Sequence, residues 1–107
     1  MNARKLTPIT WLGDSLDVVR AWPVTARKRA GEELFRLQIG CDPWHWRYMK
    51  TVGKGVREIK ISEGGEYRVF YVVRGDIGIV VLHAFSKKGR RTVKADIAMG
   101  RRRLKLI

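Results

Sequence analysis

Residues 56–85 read VREIKISEGGEYRVFYVVRGDIGIVVLHAF, and this stretch decides the fold class. Apolar and polar residues alternate over 56–61, which is typical of a strand with one buried face. The runs 67–73 and 77–85 are rich in β-branched and aromatic residues, which favour strands. Because the glycine-containing connections between the three runs are short, the pattern predicts an antiparallel meander.

Two helices are predicted before the meander. The first follows Asp14 or Ser15 as its cap and is broken by Pro23, while the second follows Thr25 and stops before Gly40. Each has an apolar stripe at helical spacing. The stripes consist of Leu16, Val19 and Trp22 in the first helix and of Ala26, Ala30, Leu34 and Leu37 in the second. The two helices therefore form a hairpin with one face to bury.

The ends of the chain supply one more strand and one more helix. The apolar run 6–12 contains Pro8, which suits an edge strand, whereas 41–54 has no regular pattern. Thr92 can cap a C-terminal helix with Val93, Ile97, Gly100 and Leu104 on one side. The predicted order is β-α-α-β-β-β-α, an α+β fold in which the helical hairpin covers one face of an antiparallel sheet. We expect residues 1–107 to form one domain.

The net charge of +13 indicates a polyanionic partner. Residues 1–53 carry nine Lys/Arg against five Asp/Glu, and residues 54–107 carry fourteen against five, so the excess lies mainly in the second half. Nucleic acid is the leading candidate partner, followed by an acidic protein and then by a membrane surface.

Nothing in the sequence predicts a membrane protein. No apolar run approaches the roughly 20 residues that a spanning helix needs, and residues 1–10 lack the apolar core of a signal peptide. Cys41 is the single cysteine and cannot form an intrachain disulfide, which agrees with a cytoplasmic location. Cys41 and His45 do not make a metal site with the distant His83, so we expect neither metal nor cofactor.

The face of the sheet opposite the hairpin is the predicted functional surface. Strand alternation places Glu58, Lys60 and Arg68 on that face. We expect a basic surface with interleaved aromatic residues, which could bind and stack RNA. The RNA-binding candidates are Phe70, Phe85, Arg90 and Arg91. The alternative is that these charges are ordinary solvated positions on a half-covered sheet, and Arg101–Arg103 likewise a solvated helix end.

Five motifs in this order resemble the RelE/ParE toxin superfamily, in its phage-derived, HigB-like branch. They are WLGDS (11–15), AGEEL (30–34), GKGVREI (53–59), YRVFY (67–71) and LHAFSKK (82–88). The resemblance extends from about Ile9 to Arg103. It implies the RelE-like, microbial ribonuclease-like α+β domain.

The resemblance also implies a reaction, which is metal-independent cleavage of mRNA by attack of a ribose 2′-hydroxyl on the adjacent phosphate, leaving a 2′,3′-cyclic phosphate. By position in the family pattern, Glu58 or Lys60 is the candidate base and Arg68 the phosphate-binding group. Lys87 and Lys88 stand where relatives place basic residues near the scissile phosphate. The implied partners are mRNA on the ribosome and a helix-turn-helix antitoxin.

The chain departs from the family pattern at its C-terminus. RelE-like and some HigB-like enzymes carry a Tyr or His there as an acid, base or stacking group, whereas residues 101–107 contain neither. His83 could substitute because imidazole titrates near neutral pH; the alternative is a hydrogen-bonded structural histidine. Two other functions therefore stay open: a ParE-like gyrase inhibitor, and a non-catalytic nucleic-acid-binding protein or inactivated toxin.

Overall fold

A computed structural model describes residues 5–89 and 92–107 of the chain. Within these ranges lie three helices and a five-stranded sheet. The elements are β1 (Ile9–Trp11), α1 (Ser15–Arg20), α2 (Val24–Gln38), β2 (Trp46–Tyr48), β3 (Arg57–Ser62), β4 (Glu66–Arg74), β5 (Gly78–Ser86) and α3 (Lys94–Leu104). In the part of the chain described, no helix has the length and apolar character needed to cross a membrane.

The predicted meander is confirmed. β3, β4 and β5 pair antiparallel in sequence order, with Lys60 opposite Arg68 and Arg68 opposite Phe85. A register shift between Phe70 and Tyr71 marks a bulge, which keeps Phe70 opposite His83.

Two features of the sheet differ from the prediction. The segment expected to be irregular contains β2, which pairs antiparallel with β3 and forms one edge of the sheet. β1 forms the other edge and runs parallel to β5, so the sheet is mixed and not purely antiparallel. Because β1 and β5 are distant in the sequence, no local pattern indicates their relative direction.

The helical hairpin covers one face of the sheet, as predicted. The predicted stripe of α2 is buried throughout, and Ala26 and Ala30 are fully inaccessible, which lets the helix backbone lie close to the strands. α2 begins at Val24, before the predicted cap Thr25, because Pro23 occupies the cap position with its carbonyl accepting from Arg27. Partners from the sheet are Ile59, Ile61, Val69, Tyr71, Ile79, Val81 and Ala84.

The other face of the sheet is not open, which corrects the prediction. A second core lies there, and α3 packs on it through Ile97 and Leu104. A β-carbon at Gly100 would lie 2.8 Å from Val52 Cγ1 and 3.0 Å from Phe70 Cδ2, so only glycine permits this approach of the helix. Val93, placed on the same stripe by the sequence, is instead exposed at the N-terminal cap of α3.

Arg103 anchors the C-terminal end of α3, where the sequence predicts solvated arginines. Its guanidinium is buried and donates to the carbonyl of Leu82 at 3.0 Å and to Asp14 Oδ1 at 2.7 Å. The hydrogen bond from Arg103 holds the pKa of the Asp14 carboxyl below its ordinary value. The pair therefore stabilises the fold at neutral pH and loses this contribution as the pH falls below the usual carboxyl range.

We expect Arg103→Ala to lower the free energy of unfolding by about 2–3 kcal/mol, because the Leu82 carbonyl loses a buried donor. Arg102→Ala is the matched control, since Arg102 is the exposed neighbour on the same helix and should change stability by less than about 0.5 kcal/mol. Urea unfolding followed by circular dichroism measures both. Equal effects of the two variants would contradict an anchoring role for Arg103.

Candidate functional site

The pairing of β2, β3 and β4 brings charged residues together on the α3 side of the sheet. Arg47 lies opposite Glu58, and Lys60 lies opposite Arg68. Alternation along β3 puts Glu58 and Lys60 on the same face, as predicted. We call the group Arg47, Glu58, Lys60, Arg68 and Lys87 the charged cluster.

Glu58 is the centre of the charged cluster and is completely buried. Its Oε1 atom accepts a hydrogen bond of 2.7 Å from Arg47 Nε and lies 3.7 Å from Arg68 Nε. Within the described ranges, its Oε2 atom has no hydrogen-bond partner. A buried carboxylate is strongly destabilising unless it is paired, and the two guanidinium groups provide that pairing for Glu58.

Arg68 is also buried, at 5% exposure, which corrects the expectation that it faces solvent. The cause is that its guanidinium turns back onto its own strand: one terminal nitrogen donates to the Tyr67 carbonyl at 2.9 Å and the other to Glu66 Oε1 at 3.1 Å. A hydrogen bond from Ser62 and the positive charge of Arg68 both hold the pKa of Glu66 below its ordinary value. The Arg68 guanidinium is therefore held in place by bonds within the protein and is not free to move with a bound phosphate.

The lysines form the accessible side of the cluster. Lys60 is exposed, and Lys87 is half-buried just beyond β5, where its backbone N–H donates to the Glu66 carbonyl at 2.7 Å. Burial and then the nearby charge of Arg68 lower the pKa of the Lys87 ammonium. Lys88 is exposed at the next position. A lysine with a lowered pKa has a larger share of free amine, the form that accepts a proton.

His83 lies two residues along β5 from Phe85, the strand partner of Arg68. Its Nε2 atom is 2.7 Å from Asp96 Oδ1 in the first turns of α3, and its ring stacks on Phe85 with centroids 5.2 Å apart. This placement agrees with the structural alternative for His83, because its Nε2 atom is already engaged by Asp96 and its ring is packed, while its Nδ1 atom is buried without a hydrogen-bond partner in the described residues.

The aromatic residues predicted to stack on RNA do not lie on an open surface. Phe70 is completely buried and Phe85 is 7% exposed, because both belong to the core beneath α3 and pack edge-on with centroids 5.1 Å apart. Neither offers a face to a base, so this part of the prediction is wrong. Arg90 and Arg91, the other predicted RNA-binding residues, lie outside the described residues.

Arg47 is the member of the cluster that the sequence reasoning missed. The alternation of Trp46, Arg47 and Tyr48 was the available signal for a short strand, but Pro43 and the clustered aromatic residues favoured a loop.

Next to Lys60 and Arg68 lies a cleft of about 270 Å³. Its other lining residues are Arg29, His45, Ser62, Glu63 and Glu66.

The observed architecture is a mixed α+β fold compatible with the RelE-like fold, with a buried acid–arginine pair beside accessible lysines. The chain belongs to the family described as Phage derived protein Gp49-like (DUF891), whose model matches residues 17–105. This family is part of the RelE/HigB-like toxin superfamily, so the predicted superfamily is confirmed. No curated protein matches the chain.

Replacing Arg68 should lower the stability of the fold, whatever its effect on function. We expect Arg68→Ala to lower the free energy of unfolding by about 3 kcal/mol, because it leaves the buried Glu58 with Arg47 alone. Lys60→Ala, on the adjacent strand and exposed, should stay within about 0.5 kcal/mol of the parent chain. Thermal and urea unfolding measure the difference. A fully stable Arg68→Ala variant would show that Glu58 does not depend on this partner.

Proposed function

We propose that the chain is the toxin of a type II toxin–antitoxin system and that it cleaves mRNA without a metal ion. Membership of a phage-derived family that is often toxin–antitoxin related supports the biological role. The single observation that supports the chemistry is the half-buried Lys87 just beyond β5, whose pKa is lowered first by burial and then by the charge of Arg68, with a smaller contribution from the exposed Lys60.

The reaction needs a base for the 2′-hydroxyl, positive charge around the phosphorane and a proton for the leaving 5′-oxygen. Glu58 is completely buried and bonded to Arg47, so in this proposal it is a positioning residue and not the base. Lys87, as free amine, takes the 2′-hydroxyl proton while the 2′-oxygen–phosphorus bond forms. Lys60, as ammonium, stabilises the phosphorane and gives its proton to the 5′-oxygen as the phosphorus–5′-oxygen bond breaks.

In this proposal, Arg47 and Arg68 assist the reaction without transferring a proton. Arg47 and Arg68 hold the carboxylate of Glu58, and Arg68 also holds Glu66, so neither carboxylate is left free to repel a phosphate. The guanidinium of Arg47 is partly accessible at the sheet edge and can meet the RNA backbone directly. Such a preorganised arrangement stabilises developing negative charge without rearranging during the reaction.

Inducible expression in bacterial cells tests the proposal. We expect the parent chain to arrest growth and to produce new RNA 5′ ends, whereas Lys87→Ala and Lys60→Ala should lose about 100-fold or more of the cleavage rate. Lys28→Ala is the matched control, because Lys28 is an exposed lysine on α2, away from the cluster. The RNA products should end in 2′,3′-cyclic phosphates.

Two outcomes would reject this function. Growth arrest with altered DNA supercoiling and intact RNA would indicate a gyrase inhibitor. Harmless expression, with intact transcripts in cells and no cleavage of ribosome-bound mRNA by the purified chain, would indicate a non-catalytic protein.

The pH profile tests the role of Lys87 separately. Because burial and Arg68 lower its pKa, the cleavage rate should rise with pH and level off below pH 10.5, the ordinary value for lysine. Lys87→Arg keeps the positive charge but does not release its proton, so this rise should vanish and the rate should fall by about 100-fold or more. An unchanged profile in Lys87→Arg would exclude Lys87 as the base.

A further inference from the structure

Tyr48 is an exposed aromatic residue at the sheet edge, next to the charged cluster but outside it. It ends the edge strand β2 and is 55% exposed. Tyr48 lines three clefts. The first, of about 540 Å³, lies on the α3 side, and the second, of about 380 Å³, lies near the turn that precedes β3. The third, of about 370 Å³, lies on the hairpin side and is also lined by Asp42 and Arg57. Apart from Tyr48, the first is lined by Arg47, Met49, Lys50, Thr51, Thr92 and Ile97, and the second by Lys50, Lys54, Gly55 and Val56.

The lining of the first two clefts is basic. Arg47, Lys50 and Lys54 contribute positive charge to the first two clefts, and no carboxylate residue in the described ranges lines either of these. The third cleft contains one carboxylate, Asp42, which is paired with Arg57. We call Arg47, Tyr48, Lys50 and Lys54 the Tyr48 strip. On β2, Arg47 points to the α3 face with Glu58, whereas Tyr48 points to the hairpin face with its strand partner Arg57, so the strip passes around the sheet edge and meets the charged cluster at Arg47.

The Tyr48 ring is held in place from one side. Trp46 meets it edge-on with ring centroids 5.0 Å apart, and the guanidinium of Arg57 lies 5.4 Å from its centroid. Arg57 is itself bonded to Asp42 at 2.9 Å, which neutralises that carboxylate. A supported ring loses little conformational freedom when a base stacks on it, so stacking is favoured.

We infer that the Tyr48 strip binds single-stranded RNA as it leaves the charged cluster, with a base stacked on Tyr48 and phosphates beside Arg47, Lys50 and Lys54. The inference rests on the proposed function, because it takes RNA as the substrate of the cluster. RNA is favoured over an acidic protein because the strip combines a supported, exposed ring with spaced cations and continues a surface suited to phosphates.

Binding of a short, fluorescent 2′-O-methyl RNA tests the inference, since this RNA lacks the attacking hydroxyl and is not cleaved. Tyr48→Ala should weaken binding by about 5- to 100-fold, and Tyr48→Phe should bind like the parent chain because phenylalanine retains a stacking face. Phe35→Ala is the matched control, as Phe35 is 49% exposed on α2 and lines none of the three clefts.

The salt dependence of the same binding separates stacking from phosphate contacts. Lys50→Ala and Lys54→Ala should each reduce the slope of log affinity against log salt by about 0.7. Tyr48→Ala should lower affinity and leave this slope unchanged, because a ring releases no counterions. Lys28→Ala, outside the strip, should change neither quantity.

Unchanged RNA affinity in Tyr48→Ala would overturn the inference. An equal loss of binding to polyglutamate, an acidic polypeptide without bases, would also overturn it by pointing to a protein-binding surface. Failure of the proposed function looks different: Tyr48-dependent RNA binding would persist while neither free nor ribosome-bound RNA was cleaved. Conversely, Lys87-dependent cleavage with normal binding by Tyr48→Ala would reject the strip alone.

Discussion

The buried carboxylate of Glu58 is the constraint on which the functional end of this protein depends. An ion in the interior requires partners, and here they come from the strands on either side: Arg47 from β2 and Arg68 from β4. β2 has only three residues and lies at the sheet edge, so its backbone ladder alone holds it weakly. The Arg47–Glu58 pair adds a charged contact that fixes the edge strand, and with it both the cluster and Tyr48.

Helices on both faces of the sheet explain why the charges gather at one end. The hairpin covers one face, while α3 covers part of the other and approaches closely at Gly100. Asp96, in the first turns of α3, contacts His83, and the paired residues Lys60 and Arg68 lie two positions further along the strands. The apolar core therefore gives way to the charged cluster near the start of α3, where water and a large anion can reach the lysines.

The sequence indicates the local features of this fold and misses those that depend on distant contacts. The meander, the buried stripe of α2 and the shared face of Glu58 and Lys60 follow from periodicity alone. The burial of Arg103 depends on Asp14, 89 residues away, and local patterns contain no such information. The packing of α3 on the second face of the sheet could, however, have been predicted from the sequence. α3 has an apolar stripe with a glycine in it, and the hairpin already occupied the first face, so the opposite face was the place left for it to pack.

The burial of Arg68 changes the chemistry that this site can perform. Arg68 is bound to Glu58, Tyr67 and Glu66 and is not available to follow a phosphate through a reaction, so our proposal assigns the reaction to the accessible lysines. The same arginine contributes to the lowered pKa of Lys87. Stability and the protonation of Lys87 are therefore coupled: Arg68, which helps to hold the buried Glu58, also adds to the effect of burial in lowering the pKa of Lys87. A substitution that weakens the contacts of Arg68 with Glu58 and Glu66 should therefore alter the protonation of Lys87, even though Lys87 itself is unchanged.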